Sequence, residues 1–275
     1  MSASALLGRS TPKRVLPGFS LSLGITLTFV SLILLLPLTS LVGQLAGLSL
    51  AEYWAIISEP RVVASYLVTI GGAAAASLVN ALFGLLMAWV LVRYEFPGRR
   101  LLDALMDLPF ALPTAVAGIT LATLYSSSGW MGQLLEPLGI EVAYTWVGIA
   151  LAMAFTSIPF VVRTVQPVLE DLPSEIDEAA LTLGASDASG FRRVILPNLW
   201  PALVTGTGLA FVRSLGEFGA VIFIAGNMPY ETEITSLMIF VKLQEYDYVG
   251  ASAIASVVLA VSLALLLALN LWQGR

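Results

Sequence analysis

The sequence predicts an all-α integral membrane protein with six transmembrane helices and both termini in the cytoplasm. Three observations carry that expectation. The 275 residues are 58% hydrophobic and 11% charged, with a mean hydropathy of +0.90, which is more apolar than a soluble core of this size requires. Six stretches are long enough to cross a bilayer as helices. Basic residues gather in one set of connecting loops.

The first stretch, roughly Leu16 to Val42, follows Arg9, Lys13 and Arg14 and so imitates a secretory signal. Its apolar run is too long for one and lacks a convincing cleavage site, which makes it the first span. The second, Val63 to Val92, carries the small residues Gly71 to Ala76, a surface on which another helix can pack closely. The third, Leu101 to Tyr125, begins RRLLDALMDLPFALPTAVAG, with Asp103 and Asp107 one turn apart and Arg99 and Arg100 as their expected ion-pair partners. Pro109 and Pro113 can break its backbone ladder, which a membrane tolerates where the break is covered by protein or lines a cavity. Thr114, Thr120 and Thr123 then either face a polar path or bond back to their own helix.

The fourth stretch runs from Tyr144 to Val165 and the fifth from Trp200 to Ala225. The fifth contains FVRSLGEFGAVIFIAG, placing Arg213 and Glu217 four apart on one helical face within an apolar run. Each charge is costly alone in lipid, so the two are expected to pair and to face the bundle interior or a water-filled cavity. Arg213 either offers an anion a positive waypoint or merely fixes helix register with its partner. Gly216, Gly219 and Ala220 permit close helix approach. The sixth stretch runs from Tyr248 to Leu271, and Trp130, Tyr144, Trp146 and Trp200 fall near span ends as an interfacial aromatic belt.

Arg9, Lys13, Arg14, Arg93, Arg99, Arg100, Arg163, Arg192, Arg193 and Arg275 lie on one side of this arrangement, against Arg61 and Lys242 on the other. The positive-inside rule therefore sets both termini in the cytoplasm. The opposite face is acidic, with Glu52, Glu59, Glu136, Glu141, Glu231, Glu233, Glu245 and Asp247. A net charge of −5 without a basic patch beyond the arginines at span ends argues against nucleic-acid binding. No cysteine and no histidine removes the thiolate nucleophile, the commonest metal ligand and the usual general base. Lys13 follows Pro12 and Lys242 follows Val241, so no phosphate-binding loop exists. The chain is expected to be neither an enzyme nor the holder of a cofactor or metal.

Between the fourth and fifth spans, at about 167–199, lies a cytoplasmic stretch centred on EAALTLGASDASGFRRVILP. A loop of this length carries function or its own secondary structure. Ser174 and Asp177 form a capping box, and Ile176, Ala179, Ala180 and Leu183 recur on one helical face, with Gly184 as the stop. A second short helix is expected from Asp187 to Ile195, with Pro197 just beyond its end. Such a helical hairpin reads as a docking element.

Glu178-Ala179-Ala180, then Gly184, then Leu196-Pro197 resemble the EAA loop of ABC importer permeases. The resemblance extends over nearly the whole chain to the T-type sulfate/thiosulfate permeases of the binding-protein-dependent transport family. It is carried by PGRRLLDALMDLPFALPTAVAG from Pro97 and by the segment Phe211 to Tyr248. It implies a type I ABC importer permease fold, with residues 1–60 as the N-terminal segment, first span and outer loop and 61–272 as the permease domain. It implies as partners a W-type permease or a second copy of this chain, two ATPase subunits that bind ATP and Mg, and a periplasmic sulfate-binding protein, all at a bacterial inner membrane. Glu178, Ala179, Ala180, Leu183, Gly184, Leu196 and Pro197 would couple to the ATPase. Pro113, Thr114, Arg213, Ser214 and Glu217 would belong to the path or gate. Molybdate or tungstate is the alternative cargo, and a stand-alone secondary anion transporter the alternative class.

Overall fold

The computed structural model describes residues 18–173, 175–176, 180 and 182–273, and all regular structure among them is helical. The chain divides into two compact units, one up to Gly47 and one from Leu48 onward. The first unit contains α1 (Phe19–Leu45), whose helix widens into a π turn at Ser31–Leu35 just before Pro37. The wider turn accommodates a proline ring that would otherwise press on the carbonyl four residues back.

The second unit holds α2 (Leu50–Ile57), α3 (Pro60–Arg93), α4 (Arg99–Met106), α5 (Leu108–Ala111), α6 (Thr114–Tyr125) and α7 (Trp130–Leu135). There follow α8 (Trp146–Asp171), α9 (Ala188–Leu215), α10 (Val221–Ile224), α11 (Thr235–Gln244) and α12 (Tyr248–Gln273). Among the described residues five helices are long and apolar enough to cross a membrane: α1, α3, α8, α9 and α12.

The α3, α8 and α9 helices form the centre. A Cβ added at Gly72 would lie 3.1 Å from Ile149, and one added at Gly84 would lie 2.8 Å from Val161, so α3 and α8 meet in the same order and run parallel. Gly206 meets Val161, and Ser214 meets Ser157 further back along α8, so α9 runs antiparallel to both. Small residues matter here because apolar side chains gain little from one another in lipid, and van der Waals packing at close range replaces the hydrophobic effect. The run Gly71 to Ala76 serves this purpose, with Gly72, Ala73 and Ala76 buried.

Two buried clusters stack along this centre. One contains Ala73, Ala76, Ile149, Met153, Leu215, Val221 and Ile224; the other contains Ala88, Val161, Val165, Leu169, Ile195, Leu199 and Leu203. A polar layer separates them. Asn80 donates to Ala154 O and Ser157 Oγ at 2.9 Å each, Ser157 Oγ donates to Met153 O at 2.6 Å, and Ser214 Oγ donates to Ser157 Oγ at 3.2 Å. With all three side chains buried, these bonds satisfy groups that lipid and apolar neighbours cannot.

The break expected in the third span is present, and the bounds of the next two spans are corrected. The third span is α4, α5 and α6, broken at Asp107 and again at Leu112–Pro113, none of them of membrane-spanning length. The fourth continues past Val165 and through Pro167 to Asp171. The fifth begins earlier and ends sooner. Its helix passes Pro197 through a π turn at Phe191–Ile195 instead of stopping there, then ends at Leu215, and α10 resumes only at Val221.

Candidate functional site

The break between α9 and α10 puts Gly216 to Ala220 between the level of Ser157, which Ser214 meets, and that of Gly148, which Ile224 meets, in the first half of α8. Glu217 lies in the break, not on the helical face that its spacing suggested, yet its pairing with Arg213 holds: Arg213 NH1 sits 2.7 Å from Glu217 Oε2. The two side chains are 34% and 1% exposed, so the carboxylate is sealed while the guanidinium keeps an open side. Glu217 Oε1 also accepts from the Ala220 backbone N–H at 3.0 Å, which closes the break on itself. A buried carboxylate thus ties the end of α9 to the start of α10.

The start of α6 packs on this break. Gly219 rests against the Thr114 side chain, and a Cβ at Gly118 would fall 2.7 Å from Ala220 Cα and 2.8 Å from its carbonyl carbon. Real Cβ contacts are essentially never that short, so two backbones touch where only glycine fits. Of the residues expected in a path or gate, Thr114, Arg213 and Glu217 are brought together here. Pro113 is exposed at the hinge leading into α6, whereas Ser214 is fully buried in the Asn80–Ser157 layer and positions α9. Gly118, Asn80 and Ser157 are missed from sequence, although a glycine inside an apolar run and an asparagine inside a span were the available signals.

Asp103 and Asp107 do not depend on Arg99 or Arg100. Arg163 Nε and NH2 donate to the two carboxylate oxygens of Asp107 at 2.8 and 2.7 Å, while its NH1 donates to Asp103 Oδ1 at 2.6 Å and its NH2 to Asp103 O at 2.9 Å. The expected partner was a neighbour in sequence; the actual one is 56 to 60 residues away on α8.

In the loop after α8, Glu178 and Ala179 lie outside the described residues, as do Ser174 and Asp177 of the expected capping box. Gly184 adopts φ +82°, and Ala185 N–H donates to Ala180 O at 3.0 Å, a helix end closed by a left-handed glycine. Leu183 is 88% exposed beside it. Ala180 lies 3.9 Å from where a Cβ on Gly190 would be, so the two arms of the hairpin approach through small residues. Leu196 and Pro197 lie at the start of the α-helical run of α9. On α3, Trp89 stacks edge-on against Phe191 with ring centroids 5.1 Å apart, and Arg93 lies over the Trp89 ring.

At the opposite ends of α3 and α8 the acidic residues divide. Glu233 is buried and held by Arg61 through bonds of 2.8 and 2.7 Å, and Lys242 lies near Glu245 and Asp247. Glu136 and Glu141 line an open cavity of about 300 Å³ with Tyr125 and Tyr144.

A bundle of apolar spans with an ion pair at an interior break, its carboxylate sealed, and a helical hairpin at one end, is the build of a multi-pass membrane transport protein. The chain belongs to the binding-protein-dependent transport system inner membrane component family, whose profile matches residues 80–275. It is 66% identical over 263 residues to the sulfate transport system permease protein CysT of Salmonella typhimurium, covering 96% of this chain and 95% of that one. The CysT protein of Escherichia coli strain K12 matches with the same identity and coverage, and a probable CysT of Nephroselmis olivacea is 52% identical over 250 residues. Among solved structures, a chain of a bacterial ABC transporter that imports the acidic polysaccharide alginate superposes with a TM-score of 0.74 at 18% identity, covering 94% of this chain and 96% of that one. The same class of transporter bound to its periplasmic protein gives 0.73.

Proposed function

We propose that this chain is the permease subunit of an ATP-driven importer of sulfate in a bacterial inner membrane, with both termini in the cytoplasm. The observation that carries the reading is 66% identity over 96% of the chain to two bacterial sulfate permeases. A T-type permease of this kind works beside a W-type permease or a second copy of itself, two ATPase subunits and a periplasmic sulfate-binding protein. Thiosulfate shares the tetrahedral oxyanion chemistry and is a second cargo; molybdate and tungstate are the competitors to test.

The mechanism is alternating access. ATP, bound with Mg on the partner ATPase, draws the coupling hairpins together and opens the path outward; hydrolysis lets it return. On this chain, Glu178, Ala179, Ala180 and Leu183 dock the hairpin, Gly184 sets its angle, and Leu196-Pro197 pass the motion into α9. At the other end of that motion, α6 slides on the break at Gly216 to Ala220, where the open side of Arg213 meets the anion. The acidic groups around the 300 Å³ cavity face basic residues of the carrier.

Reconstitution of the four components in vesicles tests this directly, by following uptake of radiolabelled sulfate against ATP hydrolysed. ATP-dependent uptake that needs the binding protein, is competed by thiosulfate and is lost in Glu178→Arg while hydrolysis continues is the expected result. Sulfate uptake by this chain alone without ATP would favour the secondary-transporter reading, and undiminished uptake in Glu178→Arg would remove the coupling role.

A further inference from the structure

The short helix α4 lacks the usual means of staying in place. None of its eight residues is fully buried, and Leu101 and Leu105 are 66% and 44% exposed, so apolar packing, through half-buried Leu102 and Met106, holds it only weakly. What joins it to the bundle is Arg163. The guanidinium donates five hydrogen bonds, to both carboxylates, to the Asp103 carbonyl and to Gln166 Oε1, and thereby spans α4, the Asp107 break and α8. Planar, forked geometry lets one arginine fix two carboxylates at once, which a lysine point charge cannot do.

The cluster continues toward the coupling hairpin. Gln166 Nε2 donates to Glu170 Oε1 at 3.1 Å, and Glu170 precedes Asp171, the last residue of α8. Arg163, Gln166 and Glu170 therefore form a polar stripe on one face of the final two turns of α8, about 10 Å long at 1.5 Å per residue. Phe110 of α5 stacks edge-on with Phe160 of α8 at 5.4 Å, a second tie between the same parts. Beyond α5 the chain turns extended at Leu112 and Pro113, with ψ of 136° and 129°, and α6 then carries Thr114 and Gly118 onto the break.

We propose that Arg163, with Asp103 and Asp107, is a strut that makes α4, α5 and the hairpin end of α8 one rigid lever, delivering hairpin motion to the Leu112–Pro113 hinge. Arg163 is a positioning residue in this role and does not touch the cargo. The inference rests on the importer reading above. Without the strut, α4 and α8 slide past one another, and the motion is spent between them before it reaches α6.

The test separates lever from scaffold. Arg163→Gln leaves two carboxylates facing each other, so the informative variant is Arg163→Gln/Asp103→Asn/Asp107→Asn, which removes the repulsion as well as the strut. In reconstituted complexes this variant assembles and hydrolyses ATP, but sulfate moved per ATP falls by about 2- to 30-fold, the scale of mutations along a coupling path. Arg163→Lys falls between it and the wild type. The chain has no cysteine, so spin labels at Leu101→Cys and Asp171→Cys report the distance between α4 and the end of α8. One narrow distance in resting and ATP-bound complexes of the wild type, and a broad distribution in the triple variant, is the expected result. Normal sulfate per ATP in the triple variant, or a wild-type distance that changes with ATP, overturns the strut. If the wild type shows no ATP-driven uptake, the importer reading fails instead, and the resting-state widths of the two proteins still decide whether Arg163 holds α4.

Discussion

Arg213→Gln and Glu217→Gln remove the two halves of one ion pair, and burial predicts unequal costs. Glu217 is 1% exposed and Arg213 34%. Removing the arginine leaves a sealed carboxylate with the Ala220 N–H, at 3.0 Å, as its remaining close donor, and a buried charge deprived of its partner costs about 3–5 kcal/mol. Removing the carboxylate's charge leaves a guanidinium with an open side, so the loss is nearer that of a charged hydrogen bond, about 1.5–3 kcal/mol. The double variant restores most of what Arg213→Gln loses, because the sealed group is then neutral. Thermal unfolding of the purified complex, read alongside sulfate uptake, gives all three numbers as a double-mutant cycle. If Glu217→Gln costs as much as Arg213→Gln, or if the double variant is no better than Arg213→Gln, the argument from unequal burial is wrong. Normal uptake in a well-folded double variant would also remove Arg213 from the anion's path.

Two further outcomes follow from local geometry. Gly118→Ala puts a methyl 2.7 Å from Ala220 Cα, where 3.4 Å is an ordinary contact, so α6 and the break must separate; overpacking of this kind costs about 1–3 kcal/mol, and slowed uptake with unimpaired ATP hydrolysis is expected, whereas Gly98→Ala, in open space but at φ +91°, should leave the gate untouched. Glu52 accepts hydrogen bonds from the Ser49 hydroxyl and backbone N–H, which hold its carboxyl below the usual range. Its contribution to the α2 capping box is therefore complete above the ordinary carboxylate pKa and is lost as pH falls through the lowered one. Hydrogen exchange at the first turn of α2 should quicken on acidification, beyond its intrinsic pH dependence, and Glu52→Gln should abolish that extra response.

The helical bundle was legible because a bilayer demands long apolar runs, and five of the six expected stretches became spanning helices. Pro109 and Pro113 announced the broken third stretch. The fifth was harder: FGAVIFIAG reads as uninterrupted apolar helix, whereas the break at Gly216 to Ala220 goes with contacts that the local pattern does not show, the close approach of Gly118 on α6 to Ala220 and the Glu217 bond to the Ala220 N–H. Spacing revealed the Arg213–Glu217 pair because its members are four residues apart. It misassigned Asp103 and Asp107 because their partner lies on another helix, and proximity in sequence favoured Arg99 and Arg100. Pro197 misled for a related reason: a proline ends a helix only if the chain cannot widen a turn to admit it, and the π turn at Phe191–Ile195 does so.

Three arginine ion pairs share a placement that has a physical cause. Arg61 reaches from α3 to Glu233 in the segment before α11, Arg163 from α8 to α4 and its break, and Arg213 from α9 to the break beyond it. In each case a spanning helix supplies the arginine and a short or irregular segment supplies the carboxylate. The long helices are joined to one another instead by glycine, alanine and the Asn80–Ser157–Ser214 layer. Long helices gather enough close contacts to pack without charge, but a segment of a few residues does not, and its unpaired backbone groups need fixed neighbours. A paired arginine supplies a directional hold of small area that fixes the segment to its helix where no packed interface does. The charges therefore mark the parts of the bundle that are held without being packed.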